Sequence, residues 1–445
     1  MSDVCSCNVV IAGSGIAAAA IAIRLCELGF RPLVLSAPRR MLPGIEAIPD
    51  TALCLFQELR ITHVLEEAGA SLVDGFENHW HPQKPVLRAG RWAHVDRARL
   101  ADAAIKEAVR RGTVIRNCAS LPVLTFSEDG VSLVHETDRL FFCAAIDATG
   151  RSAVWSRPIR HYCRSVADIF ASKTETRTDS RAKVIRFSDH WAYRLGLGSE
   201  STVALISADR SRRKLDPTTQ LSLELRSEFS YVGRRPAFPQ WCDQPIYRRR
   251  VAIGDAALAH DPISGLGIRF ALSSALAAAS VLNTWRDARL EDGASEYYRQ
   301  FIAQCRQRHL RFLQELTEGD GGSKQIGSSL PDSLNFSAKT MQGHIQVAGC
   351  VLPDEVVALA DGTFVRWIGG IDLLDIRKLA ARPVRTSKLL QELTRGANAP
   401  SHASSVLAWC VQHGILQACN ATPGGVVADK PTQAFPTTRR MESVR

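Results

Sequence analysis

Apolar residues near the N-terminus come in short β-branched runs that give way abruptly to small residues. Residues 8–12, Asn-Val-Val-Ile-Ala, read as a buried strand. Gly13-Ser14-Gly15-Ile16-Ala17-Ala18 breaks the run and opens an Ala-rich helix to about Leu28, and Arg31 to Leu35 reads as the next strand. The same pattern of apolar run and tight turn recurs twice. Residues 141–147 read as one apolar strand stopping at Asp147-Ala148-Thr149-Gly150. Residues 250–253 read as another, stopping at Gly254-Asp255-Ala256. Pro262, Gly265 and Gly267 then bend the chain before an Ala-rich helix over 268–285.

Elsewhere the pattern is weaker. Residues 44–49 are expected to begin a helical segment, and residues 100–112 an amphipathic helix. Short strands are expected near 113–116, 121–127 and 131–135. Alternation over 75–93 and 166–247, clearest at 184–187 and 202–206, predicts an antiparallel layer. Residues 320–337 are rich in Gly, Ser, Asp and Asn and read as a linker. Beyond it, 353–360, 373–381, 387–393 and 404–413 read as short helices, and 363–368 as a strand. This mixture suggests a small winged-helix-like module, with a disordered tail from about 422.

Gly13, Gly15 and Ala18 stand where a dinucleotide-binding turn needs them: one for the turn, one for close approach of a pyrophosphate, one for helix packing. The acidic residue that ordinarily ends the second strand and holds a ribose is replaced by Ser36, leaving that end of the ligand to Ser36, Arg39 or Arg40. Asp255 is placed to accept from polyol hydroxyls, and the free N–H groups near Gly265 to Ile268 suit an anion.

The Gly13 motif, Arg97 within Val95-Asp96-Arg97-Ala98-Arg99-Leu100, the Asp147 motif and the Asp255 motif occur in one order. In that order they resemble the FAD-dependent monooxygenases of the p-hydroxybenzoate hydroxylase fold, over residues 5–310 or so. The resemblance implies that Gly13, Gly15, Ile16, Ala17 and Ala18 serve the FAD pyrophosphate and Arg97 its phosphates. Thr149 and Gly150 would lie beside the nucleotide, Gly254 and Asp255 at the ribitol, and Pro262, Gly265, Leu266, Gly267 and Ile268 against the flavin ring. The implied fold class is α/β. A Rossmann-like FAD-binding domain of the glutathione-reductase type (1–74, 96–165 and 248–319) carries an inserted antiparallel substrate sheet (75–95 and 166–247). A linker (320–344), the small C-terminal domain (345–421) and the tail (422–445) follow. In this family the sheet roofs the substrate cavity, so Trp80, Trp191 and Tyr193, with Trp92 and Trp241, become candidates to line it.

Residues 44–49 and 65–72 are also similar to the flavin-dependent tryptophan halogenases, which share the Gly-Glu and Pro of the first piece. Matching Ala70-Ser71-Leu72 sets Glu66 where those enzymes carry a lysine that captures hypohalous oxidant. Their Trp-x-Trp-x-Ile-Pro signature meets Trp191-Ala192-Tyr193-Arg194-Leu195-Gly196, keeping only the first Trp. A carboxylate offers no N–H to an oxidant and repels halide, so the expected reaction is hydroxylation. Glu66, His260 and Asp261 are the candidate acid–base groups, although Glu66 beside Glu67 also reads as a surface residue.

The expected activity is aromatic hydroxylation, of indole by preference. The pattern resembles the flavoprotein monooxygenases of quinohemoprotein amine dehydrogenase biogenesis, which hydroxylate tryptophan within a protein precursor. A small-molecule halogenase, a geranylgeranyl-reductase-type flavoenzyme and a flavin-bearing winged-helix regulator stay open beside it. The reductant is NAD(P)H or a separate flavin reductase.

With 45% hydrophobic residues among 445, the chain belongs with globular enzymes, and its most apolar helix contains Arg269, so no membrane span is expected. Residues 1–7 carry no basic stretch, so no secretory signal is expected there. Twelve cysteines lack a metal-ligand rhythm and fit a reducing cytosol; Cys5-Ser6-Cys7 reads as an incidental thiol pair, not a metal site. Arginine runs at 157–164, 181–186, 210–214, 234–235, 248–250 and 299–311 underlie a net charge of +10. Such runs ordinarily make solvated faces; the alternative is a surface for an acidic protein, with nucleic acid not expected.

Overall fold

The computed structural model describes residues 8–38, 44–80, 86–127, 130–173, 181–187, 190–208, 229–317, 330–394 and 399–419. The chain divides into two compact units, residues 1–321 with 343–354 and residues 322–342 with 355–445. Arg39, Arg40, the Cys5–Cys7 pair, the 210–214 arginine run and the tail lie outside the described residues.

The first unit is built on a six-stranded sheet. Its centre is Asn8–Ala12, paired in parallel with Arg31–Ser36 on one side and Ala144–Asp147 on the other. Arg250–Ala252 pairs in parallel with Ala144–Asp147, and Ile246–Tyr247 closes that edge antiparallel. Sequence neighbours thus lie on opposite sides of Asn8–Ala12, the topological switch point at which doubly wound sheets open a crevice beyond their strand ends. Helices Ile16–Glu27, Arg97–Arg110 and Gly267–Thr284 contribute to one apolar core with the sheet. Ile16–Glu27 consists mainly of Ala and Ile; Ile21 and Ile23 are fully buried, each contributing about 1.5–3 kcal/mol.

An eight-stranded sheet carries the second layer, in the order Ser230–Pro236, Ser165–Lys173, Glu200–Ala208, His190–Leu197, Ala182–Arg186, Ser71–His79, Val86–Asp96, Ile45–Pro49. All its pairs are antiparallel except Ala182–Arg186 with Ser71–His79, where a parallel join departs from the expected pattern. Asp168, fully buried, ties two strands together by accepting from Arg234 Nε at 2.8 Å and Nη2 at 2.7 Å. This bidentate geometry offsets the cost of desolvating the pair.

Three readings of local structure are corrected. Residues 44–49 do not begin a helix: Ile45–Pro49 is an edge strand on Val86–Asp96, and the helix starts at Asp50, with Pro49 as its cap residue. The apolar run 141–147 is not one strand. It breaks at Cys143, Asp138–Phe142 pairing with Val131–His135 while Ala144–Asp147 enters the parallel sheet. In the second unit, residues 355–358 belong to the strand Cys350–Ala358, not to a helix, and Val357 pairs with Val365. β-branched Val351, Val356 and Val357 favour the extended form over a helix.

The second unit places strands Val384–Arg385 and Leu416–Ala418 on either side of Ser333–Phe336. Ser333–Phe336 and the following strand from Lys339 both fall in the stretch expected to be linker. Helices Leu373–Leu379, Thr386–Thr394 and Pro400–Gln412 follow the expected spacing and share a core around Leu334, Ile376, Leu389 and Leu407. Among the described residues no helix is long and apolar enough to cross a membrane.

Candidate cofactor and active site

The three strand-turn motifs meet at the carboxyl ends of neighbouring parallel strands. Gly13 has φ +104°, and its N–H donates to Leu35 O at 2.9 Å. A Cβ at Gly13 would run into the Ala148 carbonyl oxygen, so this turn admits only glycine. Gly254, at φ +55°, would place a Cβ 3.0 Å from Ala17 Cβ, while its N–H donates to Ser274 Oγ at 2.9 Å. Ile253 N–H donates to Asp147 O at 3.0 Å. The Gly13, Asp147 and Gly254 turns are therefore packed backbone on backbone.

Asp147 acts in this corner as an internal brace. Fully buried, it accepts from Thr149 N–H at 3.0 Å, Thr149 Oγ1 at 2.6 Å and Trp155 N–H at 2.8 Å. Thr149 Oγ1 in turn accepts from Val154 N–H, which holds the Thr149-Gly150 turn. Gly15 is different: open space surrounds the position of a Cβ there, and the helix Ile16–Glu27 has no side-chain cap. Its first N–H groups, at Ile16, Ala17 and Ala18, have no intrahelical acceptor and face an approachable backbone. Ser36 Oγ donates to Ser14 Oγ at 3.0 Å beside this turn. Arg97, in a helix opened by Asp96, forms an ion pair with Glu46.

The Asp255 side chain is 40% exposed, with Arg151 Nε at 3.9 Å as its ion-pair partner. Arg151 is pinned by Phe238 O at 2.6 Å and His260 O at 2.9 Å, and burial holds its guanidinium below the usual range. His260 and Asp261 follow, and both are buried. Asp261 caps the short turn Pro262–Ser264 by accepting from Ile263 N–H at 3.0 Å. Gly265, at φ +62°, ends that turn, and Gly267–Thr284 begins without a side-chain cap or an acidic residue in its first turn. The open helix start at Gly267 and Ile268, with Leu266 before it, suits a partial negative charge by about 0.5–2 kcal/mol.

His309, which the sequence reading missed, completes this end. It lies on Glu291–Thr317, 2% exposed, and its Nε2 accepts from Asp261 N–H at 2.9 Å. Its ring meets His260 edge-on at 4.6 Å. Tyr298, on the same helix, donates to Ala252 O at 2.7 Å, so one helix holds both ends of the segment 252–261. No local sequence signal marks it: His309 stands among arginines, and its burial beside Tyr298 and Ile302 is set by the fold.

Burial controls the titration of this corner. It lowers His260 to about 3, aided by charge on His309, Arg151 and Arg269. It lowers His309 to about 4, with Arg151 adding to the effect. Burial raises Asp261 to about 6, against the Ile263 N–H bond and Arg151. At neutral pH the corner thus presents two uncharged imidazoles and one carboxylate whose proton affinity lies close to the working pH.

Trp80, Trp191 and Tyr193 come together on the large sheet. Trp80 and Trp191 rings lie 6.5 Å apart, and Trp191 and Tyr193 rings 5.8 Å. Arg186 stands 5.1 Å over the Trp80 ring, and the buried Trp80 Nε1–H has no acceptor among the described residues. Tyr193 Oη accepts from Arg235 Nη2 at 2.9 Å. Trp92 instead packs on Phe76, and Trp241 lies under Arg306. Glu66 stands exposed on the helix His63–Glu67, and no described contact joins it to His260 or Asp261. Among the described residues no cluster of His, Cys, Asp or Glu could hold a metal.

No family model matches this sequence. LodB of Marinomonas mediterranea, which carries the description FAD-dependent oxidoreductase by inference, is 26% identical over 207 residues, 41% of this chain and 56% of that protein. The match therefore spans little more than half of LodB. Among solved structures, the peptidyl tryptophan dihydroxylase QhpG aligns with TM-score 0.67 and 22% identity over 91% of this chain and 99% of its own. The flavin-dependent halogenase CmlS aligns with TM-score 0.72 and 14% identity over 92% and 95%. The flavin-dependent brominase Bmp2 aligns at 0.62 and 16% over 72% and 90%. The chain has the fold of these flavin-dependent hydroxylases and halogenases.

Proposed function

We propose that this chain is a FAD-dependent monooxygenase that hydroxylates an aromatic ring, the indole of a tryptophan in a peptide or protein. The observation that carries the reading is the convergence of three turns at the strand ends, with Arg151 joining Asp255 to the His260 carbonyl beside the Asp261–His309 corner. The fit to FAD rests on the backbone. Gly15 leaves room for a pyrophosphate, Asp255 keeps an exposed carboxylate for ribitol hydroxyls, and the helix at Gly267 starts uncapped. Arg97, now paired with Glu46, would reach a phosphate by exchanging partners.

Bound FAD supplies the activation of oxygen once reduced. The protein's part is to position, to shield and to move protons. Trp80, Trp191 and Tyr193 offer flat apolar surface for an indole ring, and Trp80 Nε1–H has no acceptor among the described residues. Asp261, raised to about 6, can take a proton at its carboxylate as the ring is oxidised, while the imidazoles of His260 and His309 stay uncharged at neutral pH. Arg151 balances the Asp255 and Asp261 carboxylates. We assign the substrate to quinone-cofactor biogenesis on the similarity to QhpG, and the electrons to NAD(P)H or a separate flavin reductase. A tryptophan halogenase is the second reading; Glu66 in place of its lysine speaks against it.

The test is direct. The purified protein is checked for a flavin spectrum, reduced, and returned to oxygen with a tryptophan-containing peptide, with and without bromide. A product heavier by one or more oxygens regardless of halide supports hydroxylation. Uptake of bromine would replace this reading with the halogenase.

A further inference from the structure

A concave site is lined by residues to which the cofactor corner assigns no role. It is a cavity of about 480 Å³ between the segment 241–248 and one face of the helix Glu291–Thr317. The helix contributes Arg299, Ile302, Ala303 and Arg306, the spacing of a single helical stripe. The segment contributes Trp241, Ile246 and Tyr247, then Arg248 at the hairpin turn into Arg250–Ala252. Ile246–Tyr247 is the outermost strand of the six-stranded sheet.

Three guanidinium groups therefore rim one cavity. Its carboxylate, Asp243, is taken up by Arg160 Nε at 2.6 Å, and Arg299 shares Glu296 at 3.4 Å. Among the described residues no carboxylate lies within ion-pair distance of Arg248 or Arg306. Arg306 is held 5.4 Å over the Trp241 ring. Arg248 sits at φ +50°, a backbone region that glycine or asparagine enters more readily, yet an exposed arginine occupies it. The two-residue loop between Ile246–Tyr247 and Arg250–Ala252 calls for such an angle, and it sets a cation at the rim.

We infer that this cavity binds an acidic peptide segment laid in extended form beside the edge strand. The spacing of charge favours a peptide over a phosphate group. Arg299 and Arg306 are seven residues apart on a helix, a rise of about 10 Å. Carboxylates four residues apart share one face of an extended chain and span about 13 Å, within reach of the flexible arginine side chains and with one intervening side chain on the same face, whereas the oxygens of one phosphate lie far closer together. Ile246, Ile302 and the Trp241 ring give an apolar floor between the cations, which suits side chains lying between the acidic ones. This inference is independent of the oxygenase reading, because binding is measured without turnover.

The probe is a short fluorescein-labelled peptide with glutamate at every fourth position, leucine midway between and serine elsewhere, titrated against the full chain by anisotropy. Binding is expected, with affinity falling about tenfold or more in Arg299→Glu/Arg306→Glu. Arg248→Glu, at an exposed turn, is the second variant, in case loss of the Trp241 contact unfolds the first; circular dichroism verifies folding. A lysine version of the peptide should bind the double variant better than the native protein. The inference is overturned if the glutamate peptide fails to bind, or if both folded variants bind it as the native chain does. It is equally overturned if inorganic phosphate or a short oligonucleotide competes better than unlabelled peptide.

Discussion

The two ends of the strand-end crevice are built from different materials. At the Gly13 end the surface is main chain: turns packed so closely that Gly13 meets the Ala148 carbonyl, and an uncapped helix start beside Gly15. At the Asp261 end the surface is side chain: His260, Asp261 and His309, buried together and titrating far from their ordinary ranges. A backbone site recognises any ligand that needs N–H donors at that spacing, and halogenases and hydroxylases can share it. A side-chain site sets proton affinity and polarity over the reacting ring, so differences in chemistry should concentrate there.

The strongest blow to the backbone end is Gly13→Val. A branched side chain at φ +104° facing the Ala148 oxygen should cost about 3 kcal/mol or more in stability and abolish flavin retention. Denaturant unfolding and the flavin-to-protein absorbance ratio measure both. Native flavin content in this variant would mean the crevice holds no dinucleotide at Gly13.

The side-chain end should reveal itself by pH. His260 and His309, with folded pKa values depressed to about 3 and about 4, stay neutral when folded but bind protons when unfolded, so stability falls as pH drops below about 6.5. Asp261, raised to about 6, has the opposite sign: the folded state keeps a proton the unfolded state has lost, so its contribution falls as pH rises from about 4 to 6. At pH 5 two histidines oppose one carboxyl, leaving the cluster a net slope of about 1.4 kcal/mol per pH unit in favour of higher pH. Asp261→Asn should roughly double that slope. An unchanged slope would show that Asp261 is not proton-bound in the folded protein at pH 5.

His309→Leu should cost about 1–3 kcal/mol by stranding the buried Asp261 N–H, whereas His309→Gln, which keeps an acceptor, should recover most of it. If turnover is assayed, the Leu variant should also displace the pH profile of kcat; equal stability in Leu and Gln variants would remove His309 from the corner. The smallest effect is expected at Glu66→Gln. Exposed and away from the corner, it should leave activity within about twofold, while a fall of about a hundredfold would restore it as an acid–base group.

What was legible from sequence follows this same division. The Gly13, Asp147 and Gly254 turns could be read because each is a local event: an apolar strand, then residues that alone tolerate the backbone angle or the close approach that follows. The aromatic trio was guessed from its sheet, but its meeting depends on the register that sets Tyr193 opposite Val184 and Ala204. His309 was invisible, since its partner Asp261 is 48 residues away and nothing local in Arg-His-Leu-Arg marks a buried acceptor.

By itself, then, the sequence determined the strand-turn-helix corners and the order in which they assemble, because local sterics act without reference to the rest of the fold. Only the tertiary structure decided that Ile45–Pro49 and Cys350–Ala358 are strands, that the run at 141–147 splits at Cys143, and that a distant histidine braces the candidate acid–base corner. In each case pairing or burial by residues remote in the chain outweighs a propensity of a few tenths of a kcal/mol per residue.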